Sequence, residues 1–174
     1  MIRIATKADI QAIADSYDEV IAYEKDNNVC YTNWKLGIYP TIAVPKARVS
    51  SNTMFVLEDN HEICASMTLD NNQDPGYKDI NWQYEASPDK VLIIHTLCVR
   101  PSLSGKGYGR AMVEFAKQYA KEKGCSVIRL DTYVHNEPAK KLYEKNGFIL
   151  TATRTIFLHN LFNGEQVFME CKID

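Results

Sequence analysis

The stretch Val99-Arg-Pro-Ser-Leu-Ser-Gly-Lys-Gly-Tyr-Gly-Arg110 joins the most apolar run of the chain to an amphipathic segment. Its three glycines allow the backbone to turn tightly and bring N–H groups close to a ligand. A helix that begins after them has first N–H groups without partners in the helix, and its dipole adds positive character there. Phosphate is the usual ligand of such a site. Lys106 and Arg110 add positive charge at its rim.

Two general phosphate-binding motifs fit this stretch poorly. A P-loop has the pattern G-x-x-x-x-G-K-[ST], whereas Lys106 lies between glycines and no Ser or Thr follows it. A Rossmann fingerprint has the pattern G-x-G-x-x-G, and Arg110 takes the place of its third glycine. Asp131 does stand about twenty residues further on, as in a Rossmann domain, so a nucleotide-dependent oxidoreductase stays an alternative. That fold, however, carries its fingerprint after the first strand of a repeated βαβ series.

Two segments resemble motifs of the GNAT acetyltransferase superfamily. The first is the glycine-rich stretch, which resembles the family's pyrophosphate-binding motif V-x-P followed by [Q/R]-x-x-G-x-[G/A]. Gly107 and Gly109 match the motif glycines, and Ser104 departs from the usual Gln or Arg. The second is Asn136-Glu-Pro-Ala-Lys-Lys-Leu-Tyr-Glu-Lys-Asn-Gly-Phe148, which matches the pattern N-x-x-A-x-x-L-Y-x-x-x-G-F throughout. The resemblance covers about residues 91–148, and the N-terminal half matches only in the order of strands and helices.

This resemblance implies the GNAT fold, with residues 1–174 as a single domain. The fold class is α/β (α+β), with a central mixed, mostly antiparallel sheet of six to seven strands and helices on both faces. The fourth and fifth strands, at 91–99 and 126–132, are expected to run parallel and to splay apart at their ends. The cofactor is expected to enter that opening.

Hydrophobic periodicity predicts the elements of such a sheet along the chain. Strands are expected at 2–4, 54–57, 63–69, 91–99, 127–131, 148–154 and 166–171. Helices are expected after Thr6, within 23–45, from after Gly109 to about 123, and from about 138 to 145. A turn at Asn163-Gly164 is expected to join the last two strands. The polar stretch 70–90 is a long loop of a kind that often carries function.

Composition excludes several other classes of protein. The net charge of −2 gives no basic surface of the kind that binds nucleic acid. Five widely spaced cysteines form no C-x-x-C pair, which indicates reduced, mostly buried thiols in a cytoplasmic protein. The cysteines and the four histidines lack the clustering of a zinc site, so no metal is expected. No signal peptide or membrane span is evident, and no membrane partner is expected.

Acetyl transfer from a thioester to an amine needs an acid for the departing thiolate and a donor for the developing oxyanion. By the resemblance, Tyr143 is the expected general acid and the backbone N–H of Cys98 the expected oxyanion donor. From periodicity alone, Tyr143 would simply pack on a helix face. Asn136 is expected to contact the cofactor arm, to cap the following helix, or to do both.

The general base is the least determined group. Many family members carry a Glu on the fourth strand, but here the matching stretch is Leu92-Ile-Ile-His-Thr96. His95 alternates with Ile93 and Leu97 on one face of that strand. An imidazole suits proton abstraction near neutral pH, and a buried core histidine is the alternative. The thiol of Cys98 is an alternative nucleophile that would form a covalent intermediate. It lacks a visible His or Asp partner, however, and the family's usual route is direct attack by the amine.

The resemblance therefore implies an enzyme, an acyltransferase that uses acetyl-coenzyme A. The acceptor would be an amine of a small molecule or of a peptide or protein. A homodimer is common in the family. Aromatic residues suited to a cationic amine are Tyr23, Tyr31, Trp34, Tyr39, Trp82 and Tyr84. A non-catalytic acyl-coenzyme A-binding module of the same fold is the alternative function. The expected cofactor-binding residues are Leu97, Cys98, Val99, Ser104, Gly105, Lys106, Gly107, Tyr108, Gly109, Arg110, Asn136, Ala139 and Tyr143.

Overall fold

A computed structural model describes residues 1–159 and 161–174. This part of the chain contains seven strands and four α-helices. The strands are β1 Ile2–Ile4, β2 Met54–Asp59, β3 Glu62–Asp70, β4 Val91–Val99, β5 Val127–Tyr133, β6 Ile149–Leu158 and β7 Phe162–Lys172. The helices are α1 Ile10–Asp26, α2 Ala43–Ser50, α3 Tyr108–Glu122 and α4 Glu137–Lys145. No helix of the described residues is long and apolar enough to cross a bilayer.

The strands form one mixed sheet with the order β1-β2-β3-β4-β5-β7-β6. The pairs β1/β2, β2/β3, β5/β7 and β6/β7 are antiparallel, and β4/β5 is parallel. The parallel register covers Val91–Ile93 and Val127–Arg129, and among the described residues it goes no further. The expected mixed sheet with parallel fourth and fifth strands is therefore confirmed. The antiparallel partner of β5 contradicts the parallel, doubly wound sheet that a Rossmann domain requires.

Two details of the predicted elements are wrong. The shorter second helix, expected within 23–45, begins only at Ala43 and continues to Ser50. Asn163 and Gly164 form no turn, because they lie inside β7 opposite Phe157 and Ile156. A Cβ on Gly164 would lie 2.5 Å from Leu158 Cδ1. This glycine therefore marks a close approach of a side chain to the strand.

Two compact units can be distinguished in the chain. The first unit consists of Met1–Cys30, Trp34–Leu69 and His95–Phe115. Its core packs the apolar face of α1, including the fully buried Ile13 and Tyr17, with side chains of α2, β2 and β3. The N-terminus of its helical segment is fixed by Asp9, whose carboxylate accepts hydrogen bonds from the Thr6 N–H at 2.7 Å and from the Arg3 guanidinium at 2.8 Å.

The second unit consists of Tyr31–Asn33, Asp70–Ile94 and Ala116–Asp174. Its core contains a cluster of aromatic side chains, in which Tyr77 and Trp82 pack edge-on against Phe168. Tyr77 and Trp82 belong to the long segment between β3 and β4. That segment is therefore folded onto the sheet of its own unit, and its aromatic residues stabilise this core.

Candidate active site

The glycine-rich loop leads directly into helix α3, whose first N–H groups cannot be paired within the helix. Residues 104–107 are exposed, and Gly105 and Gly107 have φ angles of +81° and +82°. A Cβ at either position would meet no atom within 4 Å, so the glycines serve the backbone conformation and not tight packing. The Ala111 N–H donates to the Gly107 carbonyl at 3.0 Å, which leaves the earlier N–H groups of α3 outside the helical ladder. This geometry binds anions.

Three side chains of this loop have different surroundings. Lys106 is exposed. Arg110 Nε donates to Glu114 Oε1 at 2.7 Å on the surface of α3, so its charge is shared with a carboxylate. The Tyr108 hydroxyl donates to an oxygen of Asp59 at 2.6 Å, and this hydrogen bond raises the pKa of Tyr108. Lys106 is thus the loop cation best placed for an anionic ligand, and Tyr108 and Arg110 offer main-chain N–H groups.

Strand β4 changes its backbone conformation at Thr96. The φ angle of Thr96 is +51°, which is unusual for a β-branched residue and re-aims the following side chains as a bulge does. Regular alternation of His95 with Leu97 is therefore interrupted, contrary to the sequence expectation. The strand is buried from Val91 to Ile94, and His95, Thr96 and Leu97 are half-buried. Thr96 Oγ1 lies 3.2 Å from the Tyr39 hydroxyl, which fixes the kinked segment from one side.

The thiol of Cys98 is enclosed. It is 3% exposed, and its sulfur lies 3.6 Å from the Ser16 hydroxyl and 3.7 Å from the Ser16 carbonyl oxygen. Burial raises the pKa of this thiol to about 12. A thiolate nucleophile is therefore disfavoured at neutral pH, and any contribution of Cys98 to catalysis falls to its main chain.

Asn136 caps helix α4, which is one of the two roles predicted for it from the sequence. Its Oδ1 accepts a hydrogen bond from the Ala139 N–H at 3.2 Å, and Pro138 lies in the first turn. The Nδ2 of the same side chain is 3.2 Å from Thr132 Oγ1 on β5. These bonds fix the direction in which α4 leaves the sheet.

Tyr143 is a buried phenol with a free hydroxyl. It is 5% exposed and packs on Phe148 with ring centroids 5.4 Å apart. Burial raises its pKa, and the nearby charge of Asp131 raises it further. The Asp131 carboxylate is held by a 2.7 Å hydrogen bond from Tyr77. The Tyr143 hydroxyl is therefore protonated at neutral pH. No described residue hydrogen-bonds to it, so it is able to donate to a ligand.

Both tryptophans expected near the acceptor are packed within their own units. Trp34 contacts Tyr17 edge-on with ring centroids 5.5 Å apart. Trp82 packs on Phe168, and the Arg129 guanidinium lies 4.3 Å from its ring centroid. These contacts favour ordinary packing as the role of the two indoles.

The loop that carries Trp82 is tied to the sheet by two buried charged residues. Glu170 is fully buried, and its carboxylate accepts hydrogen bonds from the main-chain N–H groups of Gln83 at 2.6 Å and Tyr84 at 3.3 Å. Arg129 donates to the Tyr84 carbonyl at 2.8 Å. Buried charges that bond main chain in this way immobilise a long segment, so the 70–90 loop has a defined conformation.

The other predicted cofactor-binding residues occupy positions of differing exposure. Ser104 is exposed, while Leu97, Val99, Gly109 and Ala139 are half-buried. Sequence reasoning missed two carboxylates that contact the ends of the glycine-rich loop, Glu19 and Asp59. The only sequence signal for Glu19 was its place on the stripe of α1 that also carries Ala12 and Ser16.

Comparison with known proteins gives concordant matches. The acetyltransferase (GNAT) family model matches residues 14–148. The uncharacterized N-acetyltransferase YhfO of Bacillus subtilis is 30% identical over 106 residues, which are 60% of this chain and 69% of that protein. Streptothricin acetyltransferase of Escherichia coli is 38% identical over 69 residues, 40% of this chain and 36% of that protein. The structure of yncA from Salmonella typhimurium, solved with its cofactor acetyl-CoA, has a TM-score of 0.69 at 20% identity and covers 100% of this chain and 94% of its own.

Proposed function

This chain belongs to the acetyltransferase (GNAT) family, and we propose that it transfers an acetyl group from acetyl-coenzyme A to a primary amine. The acceptor is an amine of a small molecule, a peptide or a protein, and it attacks the thioester directly in a ternary complex. The observation that carries the proposal is the exposed loop with left-handed Gly105 and Gly107 before α3. Support for the cofactor comes from yncA, which shares this fold and was solved with acetyl-CoA.

Main-chain groups of the loop bind the pyrophosphate in this proposal. The N–H groups between Gly105 and Arg110 supply hydrogen-bond donors, the dipole of α3 supplies positive potential, and Lys106 supplies a full charge. The Ser104 side chain offers one hydroxyl where the family pattern has a longer Gln or Arg. Because the main chain provides most of the donors, Ser104 weakens this binding without removing it.

Residues of β4 and α4 carry the chemistry. The acetyl thioester supplies an electrophilic carbonyl, and the Cys98 N–H donates to its oxygen as negative charge develops. The Tyr143 hydroxyl donates a proton to the departing thiolate, and burial keeps this phenol protonated at neutral pH. His95 accepts the proton of the acceptor amine, directly or through water. Asn136 and Ala139 contact the cofactor arm at the start of α4.

The non-catalytic acyl-coenzyme A-binding module is the second candidate. Ser104 and the lack of a carboxylate between Leu92 and Thr96 favour it. The hydroxyl of Tyr143 favours catalysis. It is buried and protonated, and it makes no hydrogen bond to a described residue. A cytoplasmic location accords with five free cysteines, of which four are buried.

Thermal-shift titration with acetyl-coenzyme A, free coenzyme A, NAD and ATP tests the cofactor. A ligand at a hundredfold its Kd stabilises the folded chain by about 2.7 kcal/mol, which raises the Tm by roughly 5–10 °C for a domain of this size. A shift with the two coenzyme A species alone supports the proposal. No shift with them, or a shift with NAD alone, contradicts it.

A panel of primary amines then separates the enzyme from the binding module. Free thiol released from acetyl-coenzyme A is measured with each amine, using Tyr143→Phe and His95→Ala as controls. Amine-dependent thiol release that falls in both variants supports the proposed roles. Tight cofactor binding without amine-stimulated release across the panel favours the module.

A further inference from the structure

One stripe of helix α1 contacts the segment that leads into the glycine-rich loop. Ala12, Ser16 and Glu19 are spaced four and three residues apart, so they lie on the same face of the helix. Their partners are Arg100, Cys98 and Ser102, respectively. These partners lie at the end of β4 and in the 3-10 turn Pro101–Leu103 that follows it, and all three contact α1.

Glu19 makes the densest contacts of this stripe. Its Oε2 accepts from Arg100 Nη1 at 2.9 Å, and its Oε1 accepts from the Ser102 N–H at 2.9 Å and the Ser102 hydroxyl at 2.6 Å. Arg100 also donates through Nη2 to the Ala12 carbonyl at 3.0 Å and through Nε to the Ile63 carbonyl at 2.9 Å. A single carboxylate therefore joins α1 to both a guanidinium and the main chain of the loop, through charge-assisted hydrogen bonds.

The glycine-rich loop is exposed between its two ends. Gly105 and Gly107 have no neighbouring atoms where a Cβ would project, and residues 104–107 are exposed. The loop is fixed at its two ends, by Glu19 at Ser102 and by Asp59 at the Tyr108 hydroxyl. Two glycines in left-handed conformations give the free loop many alternative conformations. The anchor at Ser102 restricts them before a ligand binds.

We propose that Glu19, through Arg100 and Ser102, is a positioning residue that pre-orders the glycine-rich loop for coenzyme A. The inference rests on the proposed function, since it assigns the loop to the cofactor's pyrophosphate. Pre-ordering a binding loop raises affinity because less conformational entropy is lost on binding. Because Glu19 acts through Arg100 and Ser102, its effect falls on cofactor affinity and leaves the chemical step unchanged.

Isothermal titration of free coenzyme A into wild type, Glu19→Gln and Ser102→Ala tests this inference. Glu19→Gln keeps the side-chain shape but removes the negative charge that faces Arg100 and turns one acceptor into a donor. Asp18→Asn is the matched control, because it removes the same charge from an exposed neighbour on the same helix. We expect the Kd to rise about tenfold in Glu19→Gln and in Ser102→Ala (the loop variants), because one charge-assisted hydrogen bond contributes on this scale. In the control the Kd should stay within about twofold of the wild-type value. The double variant is expected to lose less than the sum of the two.

Urea denaturation of the same proteins separates positioning from folding. If Glu19 only stabilised the fold, the unfolding midpoint would fall in Glu19→Gln while the folded protein kept its wild-type Kd; that result contradicts the inference. Should Glu19→Gln not fold, the Kd of Ser102→Ala, which keeps the Glu19–Arg100 pair, decides between the two outcomes. Wild type that does not bind coenzyme A contradicts the proposed function, whereas binding that is equal in wild type and both loop variants contradicts only the role of Glu19.

Discussion

Gly107 offers a direct test of whether backbone conformation makes the loop an anion site. Its φ angle is +82°, and a Cβ added there would meet no atom within 4 Å. Steric overlap with the protein therefore cannot explain the effect of a substitution. An alanine in a left-handed conformation is strained by about 1–2 kcal/mol, whereas asparagine tolerates that region better because its side chain bonds locally.

The strain of Gly107→Ala must reach one of two measurable quantities. If the loop keeps its conformation in the free protein, the free energy of unfolding falls by about 1–2 kcal/mol and the affinity for coenzyme A is unchanged. If the free loop relaxes to negative φ, stability is preserved and the strain is incurred on binding, which raises the Kd about 5- to 30-fold. The two losses together are expected to total about 1–2 kcal/mol however they are divided.

The assay combines urea denaturation with calorimetric titration of coenzyme A for Gly107→Ala and Gly107→Asn. We expect losses in the order Ala greater than Asn, although asparagine has the larger side chain. Losses that instead follow side-chain volume would refute the conformational argument and show that a bound group approaches Gly107 closely. Wild-type stability and affinity in both variants would refute the assignment of the loop to the cofactor.

Three further predictions concern charge and proton transfer. Hydrogen bonds from Arg3 lower the pKa of Asp9 to about 2. The ionised carboxylate therefore contributes about 2 kcal/mol to the free energy of unfolding above roughly pH 4, and this contribution is lost as the pH falls through 2. The urea midpoint of Asp9→Asn should be lower than that of wild type at pH 7 and less sensitive to acid, and an unchanged acid slope would contradict this. Glu170→Ala leaves the buried Arg129 guanidinium without its carboxylate and should lower the free energy of unfolding by about 3–5 kcal/mol, with a loss under about 1 kcal/mol as the contrary result. Tyr143→Phe should reduce kcat by a factor of about 100 or more at unchanged Kd for coenzyme A. At pH values below about 10, the wild-type rate should not fall through deprotonation of Tyr143. If Tyr143→Phe keeps the wild-type kcat, Tyr143 is not the general acid.

Local sequence was sufficient to predict the elements that present the site. The bounds of β4 match the predicted strand 91–99, and α3 begins at Tyr108, two residues before the helix expected after Gly109. Both follow from short-range physics, since one is a continuous apolar run and the other an amphipathic segment that begins at glycines. The cap formed by Asn136 is local in the same sense, because its side chain bonds the N–H three residues further on.

Errors arose where a distant part of the chain determines the local structure. Asn163-Gly164 has the composition of a hairpin turn, yet it lies inside β7, where the Leu158 side chain packs against the backbone of Gly164. The regular alternation expected of His95 fails at Thr96, whose hydroxyl meets Tyr39 across 57 positions of sequence. Neither contact changes the hydrophobic periodicity of the sequence, so neither could be predicted from residue spacing.

The same distinction separates the two kinds of residue in the proposed cofactor site. Main-chain donors require glycines at fixed spacing, and a pattern of that kind is visible in one sequence. Their pre-ordering requires Glu19 to meet Ser102, which is 83 positions away in the chain. A free loop with two left-handed glycines would bind an anion at a large entropic cost, and the helix that supplies Glu19 reduces this cost. In this proposal the motif specifies which ligand is bound, while α1, outside the motif, contributes to how tightly the chain binds it.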